Sequence, residues 1–194
     1  IEPELVRIPA GEFWMGSSES DAGYGDEKPQ HRVFLAEYWL ARYPVTNAEY
    51  RLFLLDNPLH NKPGGWTGFE YAAGKDQHPV VSVTWYDAQD YCRWLSAVTG
   101  KPHALPTEAE WEKAARGIDG RIYPWGYEWD QRKCNTREGN KGGTTPVGAY
   151  SPQGDSPYGA ADMVGNVWEW CHSLYRPYPC QALDGREREV GNAM

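Results

Sequence analysis

Apolar positions recur at helical spacing in three places, and at each one a Thr stands three residues ahead of a carboxylate. Thr46-Asn-Ala-Glu49 precedes a run that puts Tyr50, Phe53 and Leu54 on one face, and Asn57-Pro58 closes it. Thr84-Trp-Tyr-Asp87 opens a longer pattern, with Ala88, Tyr91, Cys92, Leu95 and Val98 in register until Gly100. Thr107-Glu-Ala-Glu110 opens a third, which Gly117 ends. Each start satisfies two of the backbone donors that a helix end leaves unpaired, so helices of only about ten residues hold their ends. Thr107 and Glu110 are therefore capping groups rather than candidate catalysts. Strand patterning is short: Leu5 to Ile8, Phe13 to Met15, Val33 to Trp39, and Val80 to Val83. Residues 17–27 read as an acidic surface loop and residues 57–77 as one rich in Gly and Pro. Residues 118–160 carry almost no periodicity, and a segment well beyond about 15 residues without regular structure needs an organiser.

Composition narrows the class. The 194 residues fit one domain with room for a core. The 21 glycines and 15 prolines argue for a loop-rich chain, but 10 tryptophans and 13 tyrosines are far more than a disordered one carries. Packed loops with aromatic filling follow. A net charge of −8 leaves no basic stripe for a phosphate backbone, so nucleic acid is excluded as a partner. No run approaches the roughly 18 apolar residues of a membrane span, and no charged n-region precedes an apolar core, so a soluble chain is expected. A leader removed ahead of residue 1 leaves the compartment open. Cys92, Cys134, Cys171 and Cys180 form no C-x-x-C pair, which disfavours zinc; two disulfides or buried thiols both fit an even count. The histidines His31, His60, His78, His103 and His172 contain no i,i+4 pair, and His31 and His78 read as hydrogen-bonded structural groups.

The densest chemistry lies in Asp162-Met-Val-Gly-Asn-Val-Trp-Glu-Trp170. Asp162 and Glu169 are hard oxygen donors, and Gly165 with Asn166 lets the backbone turn its carbonyls toward the same point, as calcium loops do. The plainer alternative has Trp168 and Trp170 filling a core, Asp162 capping a turn and Glu169 pairing with an Arg.

Six segments bear on that choice: Ile8-Pro-Ala-Gly-Glu-Phe-Trp-Met-Gly16, Tyr43-Pro-Val-Thr-Asn-Ala-Glu-Tyr50, His78-Pro-Val-Val-Ser-Val-Thr-Trp-Tyr-Asp-Ala88, Leu105-Pro-Thr-Glu-Ala-Glu-Trp-Glu-Lys-Ala-Ala-Arg-Gly117, Tyr123-Pro-Trp-Gly126 and Gly165-Asn-Val-Trp-Glu-Trp170. In this order they resemble the formylglycine-generating enzyme, or sulfatase-modifying factor, family. The resemblance implies an α+β fold, the family's variant of the C-type lectin fold, with short helices, small antiparallel sheets, many loops and structural calcium. It implies one calcium site formed by the side chains of Asp162 and Glu169 and the carbonyls of Gly165 and Val167. Where many relatives have Asn, Asp162 adds a negative charge. A second site would start at Asn135 and the carbonyl of Thr136, but residues 137–143 lack the family's Asp in register.

The family's oxidation of a substrate cysteine depends on a cysteine pair that binds copper as thiolates, a soft-ligand choice. That pair lies in a C-terminal segment that begins where residues 184–194 stand, so residues 1–194 are expected to form a single domain lacking it. Copper enters only if that segment supplies the pair. Cys171 and Cys180, on a C-x8-C loop, are expected as structural thiols or one local disulfide. The expected function is a non-catalytic, calcium-stabilised scaffold for a protein or peptide ligand, such as a variable protein of a diversity-generating retroelement. A second polypeptide completing the fold is a further expected partner. The alternatives are a truncated oxidase acting on sulfatase cysteines and a sensor domain of a signalling protein.

Overall fold

A computed structural model describes residues 2–20, 23–181 and 183–188. Four strands and three helices appear among them, in the order β1 (Leu5–Ile8), β2 (Gly11–Met15), β3 (His31–Leu35), β4 (Tyr38–Ala41), α1 (Asn47–Asp56), α2 (Trp85–Thr99) and α3 (Glu108–Arg116). The helices begin where the sequence placed them. Thr46, Thr84 and Thr107 each accept from the backbone of the residue three further on, and Glu49, Asp87 and Glu110 each bond back to the cap.

The strands form two antiparallel pairs, β1 with β4 and β2 with β3. Val33 to Trp39 is therefore not one strand. The chain leaves β2 after Leu35, crosses Ala36 and Glu37, and joins β1 at Tyr38, in register with Ile8. Val80 to Val83 forms no strand either. One bridge joins Thr46 to Pro79, and at Ser82 the backbone takes a φ of 59°, which turns it off an extended course. The acidic loop at residues 17–27 contains positions 21 and 22, and these, with residues 189–194 of the C-terminal stretch, lie outside the described residues.

Two apolar clusters carry the packing. Ile8, Ala114, Ala115, Ala160 and Met163 join β1, α3 and the 160–163 segment. Tyr50, Phe53, Leu54, Tyr91 and Leu95 join α1 to α2, using the faces read from the sequence, whereas Val98 at the end of that stripe is exposed. Lys113 precedes Ala114 of the first cluster and is buried too. Its side chain is buried, 1% exposed, and its ammonium donates to the carbonyls of Pro9 (2.7 Å) and Gly11 (2.9 Å), tying α3 to the β1–β2 turn. Burial holds its pKa below the usual lysine value.

His31 and His78 are hydrogen-bonded, to the Pro29 carbonyl and the Thr144 hydroxyl respectively. All four cysteines are free thiols. Among the described residues no helix is long and apolar enough to cross a membrane.

The cap of α3 offers a direct check. Thr107→Ala removes the acceptor for the Glu110 amide and should lower stability by about 1 kcal/mol, read as a shifted urea midpoint at unchanged slope. An unshifted midpoint would mean that α3 is held by packing alone.

Candidate functional site

The segment from Asp162 to Trp170 is shaped by three positive φ angles: 58° at Asp162, 79° at Gly165 and 62° at Asn166. Gly165 lies beside Asn135 in a parallel bridge. A Cβ at Gly165 would stand 2.3 Å from the Asn135 carbonyl oxygen, so both the backbone angle and the space demand glycine. That same carbonyl accepts from the Asn166 amide at 2.8 Å.

Asn166 then does what the sequence did not announce. Its side-chain oxygen accepts from the Thr145 amide (2.9 Å) and the Asn135 side-chain amide (3.2 Å), and its own amide donates to the Thr145 carbonyl (3.2 Å). Asn135 also donates to the Gly143 carbonyl at 2.9 Å. The residues inferred from sequence for two calcium sites are thus adjacent, joined through Asn166. The 118–160 region, for which an organiser was expected, is tied to this centre at Asn135, Gly143 and Thr145, and again where the Gly148 amide donates to the Asp162 carboxylate at 2.7 Å. Thr136 contributes less clearly. Its carbonyl accepts from Gly139, and its buried hydroxyl has no partner at bonding geometry.

Asp162 and Glu169 lie close enough for their charges to interact. Burial first, and then the nearby Asp155 charge, raises Asp162 above the usual carboxylate range, against the pull of the Gly148 amide. Glu169 is pushed up to about 7 by the crowding of protein atoms around it, with the Asp162 charge adding to the rise. Neither carboxyl has a basic group acting on it. Glu169 is nevertheless exposed to solvent; crowding fixes the direction of the shift, and solvent screens its size. The buried indole N–H of Trp111, without a partner at bonding geometry, faces this carboxylate.

The plainer reading of the tryptophans does not hold. Trp168 is fully exposed and Trp170 half exposed, its indole donating to the Val83 carbonyl at 3.0 Å. Both line a cavity of about 520 Å³. All four residues of β4 line it too, as do the four consecutive residues from Val167 to Trp170. Successive side chains of an extended chain point to opposite faces, so four in a row around one space means that the chain's edge borders it. β4 pairs on its other edge with β1. Among the described residues β4 has no second strand partner, and all four of its residues border the cavity.

Burial raises all four thiols above the usual cysteine value. Burial pushes Cys92 up to about 11, Cys171 up to about 12 and Cys180 up to about 11, with carboxylates, Glu169 foremost, adding to the rise at Cys171; Cys134 is raised as well. Burial disfavours the metal-free thiolate at all four. Among the described residues no three His, Cys, Asp or Glu side chains are grouped to hold a metal ion.

Residues 1–191 match the sulfatase-modifying factor enzyme 1-like domain, and the chain belongs to that family. It is 35% identical over 223 residues to the inactive C-alpha-formylglycine-generating enzyme 2 of Bos taurus, covering 89% of this chain and 71% of that protein. Among solved structures it is similar to PvdO from Pseudomonas aeruginosa, with a TM-score of 0.75 and 30% identity over 90% of this chain and 72% of that one. Treponema denticola variable protein 1 shares the fold, with a TM-score of 0.66 at 22% identity over 90% of this chain and 74% of that one. The α+β, formylglycine-generating-enzyme-type fold expected from sequence is the fold observed.

Two outcomes follow. Gly165→Ala should cost several kcal/mol, whereas Gly142→Ala, at φ +72° with open space around it, should cost about 1–2 kcal/mol for the backbone angle alone. Equal urea midpoints for the two variants would show that the Asn135 contact imposes nothing. The second concerns pH. In metal-free solution the folded chain holds protons on Asp162 and Glu169 more tightly than the unfolded chain does. Stability from these groups is then fully present below about pH 3.8 and is lost as pH rises through the raised folded values, about 7 for Glu169. Glu169→Gln should flatten that decline in the urea midpoint.

Proposed function

We propose that this chain is a non-catalytic binding scaffold in which calcium, held by Asp162, Glu169 and the carbonyls of Gly165 and Val167, braces a cavity for a protein or peptide ligand. The observation that carries the reading is the cavity beside β4, a strand with no second partner among the described residues, overhung by the exposed Trp168. A polypeptide in extended form suits such a place: it can pair with a free edge through its backbone and set side chains against aromatic walls. The name of the bovine relative, an inactive enzyme of the family, supports a role without oxidation.

The donor set fits calcium. Two carboxylates that interact with each other and lack a basic partner want a cation, and hard oxygen ligands select one such as Ca2+. Bound there, the ion supplies charge neutralisation and order. Asn135 and Thr136 would hold a second ion less completely, because the Thr136 carbonyl already accepts from Gly139. The competing reading, a formylglycine-generating oxidase, is favoured by the family's enzymatic name.

Three measurements test these statements. Chelation by EGTA should lower the melting temperature, since a ligand at 100 times its Kd contributes about 2.7 kcal/mol; an unchanged melt together with a metal-free elemental analysis would sink the calcium reading. The chain supplied with copper and oxygen should leave a Cys-x-Pro-x-Arg peptide unoxidised, and an aldehyde product detected by mass spectrometry would restore the oxidase. Peptides selected from a displayed library should lose about 30-fold or more in affinity for Trp168→Ala, as expected of an aromatic anchor. They should bind Tyr127→Ala, altered away from the cavity, as they bind the parent. Selected peptides indifferent to Trp168, or none at all, would reject the cavity as the binding site.

A further inference from the structure

Away from that cavity, three soft or borderline donors meet at the open end of the β2–β3 pair. Met15 and His31 are directly opposite one another in the register, so their side chains share a face. Cys180, from the C-terminal loop, lies against both. Its thiol donates to the Met15 thioether at 3.5 Å, and its backbone amide donates to His31 Nε2 at 2.8 Å. That amide fixes the imidazole tautomer: Nε2 accepts, so it carries a lone pair rather than a proton, and Nδ1 donates to the Pro29 carbonyl at 2.9 Å. The ring of Tyr178 packs edge-on against His31.

We propose that Cys180, Met15 and His31 form a binding site for a soft monovalent cation, of which Cu(I) is the biological example. Thiolate and thioether sulfur select soft ions, and imidazole tolerates them. The spacing suits one shared ion. Two sulfurs each about 2.3 Å from a metal stand roughly 3.3–4.0 Å apart for angles between 90° and 120°, a range that contains the observed 3.5 Å. Access exists as well, because Cys180 lines a second cavity, of about 710 Å³, between β3 and residues 183–188. Met15 is wholly buried, so the ion would be shielded on its far side. Binding replaces the thiol proton: the S–H bond breaks, a Cu–S bond forms, one proton leaves for solvent, and no electron changes hands. His31 Nε2 exchanges its bond to the Cys180 amide for the ion. The site is separate from the calcium loop and from the copper-binding cysteine pair implied by the family.

The full chain, reduced and under argon, should be titrated with Ag(I), and with Cu(I) against a bicinchoninate competitor. One equivalent should bind, and X-ray absorption should show sulfur together with imidazole nitrogen around the metal. Cys180→Ser should abolish this binding. Met15→Leu and His31→Gln should each weaken it about tenfold or more, whereas the Cys92→Ser/Cys171→Ser double variant should bind as the parent does. Circular dichroism checks that each variant is folded, and the absorption spectrum of the parent decides the matter should Met15→Leu not fold. Binding that survives Cys180→Ser overturns the proposal. So does a spectrum with a single sulfur and no nitrogen, or parent-like affinity in both Met15→Leu and His31→Gln.

Discussion

The approach of Gly165 to Asn135 is the constraint around which the functional half of this molecule is arranged. No side chain fits at that point, and the backbone must take a left-handed turn to reach it. Once there, Asn166 follows at a positive φ and its amide group reads both Asn135 and Thr145. Two chain segments far apart in sequence are thereby fastened, and the run from Val167 to Trp170 is aimed along the cavity facing β4. Few contacts achieve this, and they are polar, so their strength depends on exclusion of water from the junction.

Charge at Asp162 and Glu169 is handled differently from charge at two carboxylate–arginine pairs elsewhere in the chain. Glu112, pushed up by burial, meets Arg116 at 2.6 Å and accepts from the Gly16 amide. Arg186, equally buried, meets Asp184 at 2.8 Å. Each of those buried charges has its opposite within reach, as burial requires. Asp162 and Glu169 have no such cationic partner: Asp162 is offset by the Gly148 amide, and Glu169 is open to solvent.

The helices were legible because their signals are local. A Thr and a carboxylate three residues apart state where a helix starts, and the structure places all three caps on those residues. Strand pairing was not legible: Val33 to Trp39 is continuous in hydrophobicity, and nothing in it says that the chain changes partner at Ala36 and Glu37. Val80 to Val83 shows the converse, a strand-like run cancelled by one residue's backbone angle at Ser82. At the site, Asp162, Gly165 and Glu169 could be singled out by residue type. Asn166 was seen as a hinge and missed as a hydrogen-bonding hub, because its partners are about twenty to thirty residues away. The adjoining Gly in the Gly165–Asn166 pair was the available signal: two residues tolerant of a left-handed backbone in succession.

Lys113 gives the fold an unusual internal reporter. Its ammonium is enclosed between α3 and the β1–β2 turn, gripped by two carbonyls and nearly unreachable by solvent. An acylating reagent cannot touch that amine while α3 lies on the turn, whereas Lys101, on the surface, is open to it throughout. The rate at which Lys113 is labelled, relative to Lys101, therefore times the separation of α3 from the strands. The protein carries a clock for its own opening, written in the chemistry of one side chain.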